Sequence, residues 1–292
     1  MEICFDTSAI NGIADSKEKV EIISHLRRNH RVLLTSLNLL EVVSTPSDAR
    51  RLELLSTMKE LSDGALPLAI SPKIVRRATR AFAKRKPSFN IAITQEDAPL
   101  WSMLQYPETA GPEEQAEARQ WLMSLEQPFA DAHRQARPDF QELFRSNAHE
   151  RPKSPGRMLR LFADQDIDAM YQFVRNTYKR ESRQHLSVDA MLRLFKAVPY
   201  WPLYLAGWAH QMYARAVSEQ DYGSRKKPGT IDLWCAVYLP HCDVFVTDDN
   251  GQYQALRLLN VLSRRIPRRT ARTRLMLFES FRRWLLSSAA GS

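Results

Sequence analysis

The sequence predicts an α/β protein in which both ends of the chain assemble a short central parallel sheet and a mostly α-helical insertion lies between them. Three observations predict it. The apolar runs Ile3-Cys4-Phe5 and Val244-Phe245-Val246 lie near opposite ends of the 292 residues and are too brief for helices. Apolar positions at three- and four-residue spacing fill the middle, where strand-like alternation is scarce between residues 60 and 225. Hydrophobic residues make up 44% of the chain and charged residues 26%, a balance that supports a folded core and excludes wholesale disorder.

Residues 2 to 6 read as a strand ending in Asp6, and Arg31 to Thr35 as a second. Between them Val20, Ile23 and Leu26 recur at helical spacing. Thr35 or Ser36 then caps a helix in which Leu37, Leu40 and Val43 share a face. Leu52, Leu55, Met58 and Leu61 step by three, Ser71-Pro72 opens another helix, and the stretches near 113–126, 187–197 and 201–217 read as helices too. Pro87, the Pro107 to Pro112 stretch and residues 151–156 break the pattern. Thr230 is the expected cap of a helix carrying Asp232 in its first turn, and the last apolar run enters Thr247-Asp248-Asp249-Asn250-Gly251, whose Asn-Gly is a turn signal. The division is therefore 1–60 with 226–292 for the α/β domain, and 61–225 for the helical insertion.

No stretch reaches the ~18 apolar residues of a membrane span, and Met1-Glu2-Ile3-Cys4 lacks the basic start of a signal peptide, so the expectation is a cytoplasmic protein with no membrane partner. Cys4, Cys235 and Cys242 form no CxxC pair; buried thiols fit them better than structural zinc, even with His241 alongside. The net charge of +9 is concentrated: Lys73 to Lys86 carries +7 and Arg257 to Arg283 carries +8, which leaves the remainder net acidic. Clustered cations beside an acidic remainder suit a polyanion such as nucleic acid, although either cluster alone could be a solvated helix face. Arg76, Arg77 and Arg80, and Arg264, Arg265, Arg268 and Arg269, are the candidate phosphate contacts.

The chemistry rests on four acids, Asp6, Glu41, Asp232 and Asp249. Each has an ordinary explanation when taken singly: a cap or turn for Asp6, a helix face for Glu41, a dipole-compensating first-turn acid for Asp232, and a turn for Asp248 and Asp249. Glu41 is the odd one, since it interrupts the apolar run Leu37-Asn38-Leu39-Leu40-Glu41-Val42-Val43. An unpaired carboxylate facing a core is costly without a cation. The sequence lacks GxxxxGK[ST], GxGxxG and HExxH motifs.

Taken in order, these residues resemble the PIN-domain family of metal-dependent nucleases. A strand ends in Phe5-Asp6-Thr7-Ser8, a helix after the second strand carries Glu41, a helix opens with Asp232, and a strand ends in Val246-Thr247-Asp248-Asp249. The resemblance covers the first 60 and last 65 residues or so. The 191 positions from Glu41 to Asp232 exceed what a compact PIN domain needs.

The resemblance implies a three-layer α/β/α fold and a four-carboxylate site for Mg²⁺ or Mn²⁺ built from Asp6, Glu41, Asp232 and Asp249. Asp248 would be an auxiliary ligand, and Ser8 and Thr247 the accompanying polar residues. It implies a ribonuclease that leaves 5′-phosphate and 3′-hydroxyl ends on its RNA products. A binding or scaffold protein that no longer cleaves, a toxin held by a regulatory protein partner, and a homo-oligomer all remain compatible with the same residues.

Overall fold

The computed structural model describes residues 1–86, 88–146, 157, 168–214, 229–263 and 273–289. The chain begins with β1 (Glu2–Phe5), α1 (Thr7–Asp15), α2 (Lys19–Asn29), β2 (Arg31–Leu33), α3 (Ser36–Val43) and α4 (Asp48–Ser62). The middle is helical: α5 (Ser71–Ala83), α6 (Ala98–Gln105), α7 (Pro112–Ser146), α8 (Asp168–Ser182), α9 (Val188–Ala197) and α10 (Tyr200–Met212). It closes with α11 (Thr230–Trp234), a 3₁₀ segment (Cys235–His241), β3 (Val244–Thr247), α12 (Asn250–Ser263), β4 (Arg274–Leu277) and α13 (Phe278–Ala289). The protein is thus α/β and mostly helical, with a four-stranded sheet.

The sheet order is β2-β1-β3-β4 and every pairing is parallel. Ile3 pairs with Val32 and Val244, and Cys4 with Leu33 and Phe245. Alternation sends these side chains to two faces. Ile3, Phe5, Val32, Val244, Val246 and Met276 join one buried cluster with residues of α1, α2, α4, α6 and α13. Cys4, Leu33 and Phe245 join the other with residues of α5, α10 and the 3₁₀ segment. Helices cover both faces, as a sheet made only of parallel strands requires. Each cluster joins side chains from the chain's ends to side chains from its helical middle.

Several expectations are adjusted in detail. Val20 is 81% exposed, and α2 buries Ile22, Ile23 and Leu26. Leu52 is likewise exposed on α4, whose inner face is Leu54, Leu55, Met58 and Leu61. The second strand ends at Leu33, with Thr35 bridging to Leu68 instead of continuing the sheet. Helix α7 runs through Pro128 and Pro138, far beyond the turns its apolar spacing marks. Trp201 and Tyr204 are core residues, as expected of aromatics on a helix: the Trp201 indole donates to Thr79 Oγ1 at 2.9 Å, and Tyr204 stacks on Trp234. Pro87, residues 151–156 and the four basic residues Arg264, Arg265, Arg268 and Arg269 lie outside the described residues. No helix of the described residues is long and apolar enough to cross a membrane.

Candidate active site

The strand order fixes where a site can form. From β1 the chain crosses to β2 on one side, and from β3 it crosses to β4 on the other, so the crevice outside the carboxyl ends of β1 and β3 is the topological switch point. Asp6 and Thr247 sit at that crevice. The Asp6 N–H donates to Val246 O at 2.8 Å, which ties the ends of the two strands together.

Asp6 is the N-cap of α1 and only 8% exposed. Its Oδ2 accepts from the Ser8 N–H at 3.1 Å, the Ser8 hydroxyl at 2.8 Å and the Thr247 hydroxyl at 3.4 Å. The two hydroxyls are 3.1 Å apart. Each also receives a main-chain N–H, Ser8 Oγ from Asp248 and Thr247 Oγ1 from Asp249. Ser8 and Thr247 therefore hold the turn after β3 against the start of α1 and aim the Asp6 carboxylate.

Glu41 comes from the last turn of α3. Thr35 caps that helix in a box with Asn38: the Asn38 N–H donates to Thr35 Oγ1 at 3.1 Å, and Asn38 Oδ1 accepts the Thr35 N–H at 2.9 Å. The Asn38 amide then donates to Thr7 Oγ1 at 3.0 Å, and the Thr7 hydroxyl donates to Glu41 Oε2. Burial pushes the Glu41 carboxyl well up from its ordinary value; the charges of Asp6, Asp232 and Glu126 add to this, and the Thr7 hydrogen bond opposes it.

Asp232 occupies the third position of α11. The cap is Gly229 and not Thr230: the Gly229 N–H donates back to Asp232 Oδ2 at 2.5 Å. Burial raises the Asp232 carboxyl to about 7; Asp6, Asp249 and Glu126 push the same way, and the Gly229 N–H pulls back. The thiol of Cys235, one turn further on, is also pushed up, by burial and then by the charges of Asp6, Glu41 and Asp232. Asp6, Glu41 and Asp232 thus share one electrostatic pocket, drawn from segments far apart in the sequence.

Asp249 stands at the rim. It is exposed, its Oδ1 accepts the Gln252 N–H at 2.8 Å at the start of α12, and its charge acts on Asp232. Asp248 is also exposed, and its carboxyl is raised by burial and then by the charges of Glu279, on α13, and Asp249.

Two contributors carry no sequence signal. Gln252 is 1% exposed, and its side-chain nitrogen donates to Asp6 Oδ1 at 3.3 Å and to the Asp232 carbonyl at 3.2 Å. These two acceptors fix the orientation of the amide and leave Gln252 Oε1 buried, with no hydrogen-bond partner among the described residues. Glu126, on α7, is the other, since it acts on both Glu41 and Asp232.

Among the described residues no three His, Cys, Asp or Glu side chains stand at ion-holding spacing, so the acids form a coupled pocket and not a closed cage. The donor chemistry nonetheless fits a hard divalent cation. Every candidate ligand is an oxygen, the carboxylates repel one another, and the orphaned Gln252 Oε1 calls for a donor or a cation.

The basic residues of α5 line a cleft of about 460 Å³ with Lys73, Thr94, Gln95 and Glu181. The buried Glu181 carboxylate is shared by Arg76 Nε at 2.9 Å and Arg80 Nε at 2.8 Å. Arg77 donates to the Ala92 carbonyl at 2.6 Å and to Thr94 Oγ1 at 3.2 Å, and Lys73 pairs with Asp97. The cluster's charge is therefore partly neutralised within the fold. Comparison with protein-family models, curated proteins and solved structures gives no match to this chain.

Proposed function

We propose that the chain is a divalent-cation-dependent nuclease that hydrolyses phosphodiester bonds of RNA, on a core of the PIN-like three-layer kind. One observation carries this reading: Asp6, Glu41 and Asp232, from the end of β1, from α3 and from α11, share an electrostatic field in a pocket at the switch point of a parallel sheet. Three mutually repelling carboxylates in such a crevice are destabilising for a protein that binds no cation there. Mg²⁺ or Mn²⁺ would be held by Asp6, Glu41 and Asp232, with Asp249 at the open side. When bound, such an ion supplies Lewis-acid charge that lowers the pKa of a water and steadies the departing oxygen.

The chain's own residues do the positioning. Ser8 and Thr247 fix the Asp6 carboxylate, Thr7 fixes that of Glu41, and the Gly229 N–H fixes that of Asp232. A pocket this acidic repels a phosphate backbone, so attraction must come from elsewhere on the surface. Arg76, Arg77 and Arg80 suit that task, since Arg76 and Arg80 keep about half of their side-chain surface exposed while Glu181 holds them.

The test incubates purified protein with single-stranded RNA and Mn²⁺, with and without chelator, beside Asp6→Asn. Cleavage that needs the ion and disappears in the variant is expected. Cleavage indifferent to both would rule the mechanism out.

A further inference from the structure

The position of Glu126 on its helix is unusual for an acid. Ala118 is buried, Leu122 packs against both core clusters, and Glu126 follows at the same four-residue step, where the inward stripe of α7 would otherwise place an apolar side chain. Helix α7 packs against α3, which carries Glu41, and against α11, which carries Asp232. A Cβ built on Gly229 would stand 3.2 Å from Glu126 Oε1 and 3.4 Å from Asp232 Oδ2, so these two oxygens are no farther apart than those lengths together. Gly229, with no side chain, leaves room for both.

Gln252 supplies the independent pointer to a ligand. Its buried Oε1 has no hydrogen-bond partner among the described residues, while its nitrogen is committed to the Asp6 carboxylate and the Asp232 carbonyl. An acceptor stranded beside carboxylates is satisfied by a cation or by a water the cation orders.

We propose that Glu126 is a further ligand of the cation pocket, beside Asp232, so that the long middle helix adds a carboxylate to the site. This rests on the cation-dependent reading above. In the resemblance the sequence suggests, the ligands come only from the chain's two ends; here a helix from the part that resemblance leaves unassigned adds a carboxylate. The ligand class is a hard divalent ion, because the donors offered by Asp6, Glu41, Asp232, Glu126 and Gln252 are carboxylate and amide oxygens.

The experiment is calorimetric titration of Mn²⁺ into the full chain at pH 7.5, with near-ultraviolet circular dichroism as the control on folding. Glu126→Gln and Glu126→Ala are each expected to weaken Mn²⁺ binding at least tenfold. Glu117→Gln, on the exposed face of the same helix, is expected to bind as the unaltered chain does. If Asp6→Asn abolishes Mn²⁺ binding while both Glu126 variants bind within twofold of the parent, the inference is overturned and the nuclease reading stands. If the parent chain binds no Mn²⁺, both fall.

Discussion

The sharpest consequence of the pocket is that removing one of its charges stabilises the cation-free protein. Asp232 has an ordinary pKa of 3.8 and is raised to about 7 in the fold. Between those values the folded chain holds a proton that the unfolded chain has released, so stability falls as pH rises through the window and levels off above it. A tenfold change in a proton equilibrium is worth about 1.36 kcal/mol, so the whole window corresponds to at most about 4 kcal/mol. Burial also pushes Glu41 up, and its charge and that of Asp232 act on each other, which makes about 2 to 4 kcal/mol the expectation for the single group. Asp232→Asn keeps an oxygen for the Gly229 N–H and removes the charge. In urea denaturation with chelator it is expected to match the parent near pH 4 and to exceed it by that amount at pH 7.5. A parent whose stability is flat from pH 5 to pH 8, with a variant no more stable than it, would refute the reasoning.

Mn²⁺ at a hundredfold excess over its dissociation constant is expected to stabilise the parent by about 2.7 kcal/mol at pH 7.5, read as a rise in thermal midpoint, and to do little at pH 5, where protons compete for the same oxygens. Gly12→Ala would drive a Cβ to 2.6 Å from the ring of Phe278 at the start of α13; a loss of about 1 to 3 kcal/mol is expected in denaturant melts, and a neutral result would mean that the junction yields. Glu181→Ala frees the guanidinium groups of Arg76 and Arg80, so filter binding to single-stranded RNA should tighten at low salt and its salt slope should steepen by about one charge. An unchanged slope would remove α5 from the RNA-binding surface.

Much of the sheet was legible because its strands are short apolar runs with strong signals after them: Ile3 to Phe5 before Asp6, and Val244 to Val246 before Thr247-Asp248, although the Asn-Gly that reads as a turn opens α12 instead. Asp6, Glu41 and Asp232 were legible through the elements that carry them. Thr7 and Asn38 were within reach, since one follows Asp6 directly and the other completes the box with Thr35. Gln252 and Glu126 were not. Gln252 acts through the angle at which α12 leaves β3, and Glu126 through the packing of a helix more than a hundred residues away from Asp232. Both are tertiary facts: the four-residue step from Ala118 and Leu122 places Glu126 on the inward face of α7 but does not say which residues it meets there. The assignment of Thr230 as a cap failed for a related reason, because glycine gives no side-chain signal yet its N–H reaches the Asp232 carboxylate.

The ordinary and functional explanations of the acids turn out to describe the same geometry. Asp6 caps α1, Asp249 caps the first turn of α12, and Asp232 sits in the first turn of α11, so three helix starts face the crevice and their N–H groups share the burden of the charge. Glu41 has no such help. It lies in the last turn of α3, where the helix dipole disfavours an anion, and among the described residues its compensating bond comes from the Thr7 hydroxyl. Glu41 is therefore the acid that gains most from a cation and loses most without one. In the cation-free protein at pH 7.5, Glu41→Gln is expected to raise the thermal midpoint clearly, while Asp249→Asn, which replaces one good cap by another, should leave it within about 0.5 kcal/mol of the parent. With saturating Mn²⁺ the order should reverse, the parent becoming more stable than Glu41→Gln. If Glu41→Gln lowers the cation-free midpoint as much as an ordinary core substitution would, the carboxylate is a structural anchor and the pocket is not poised for an ion.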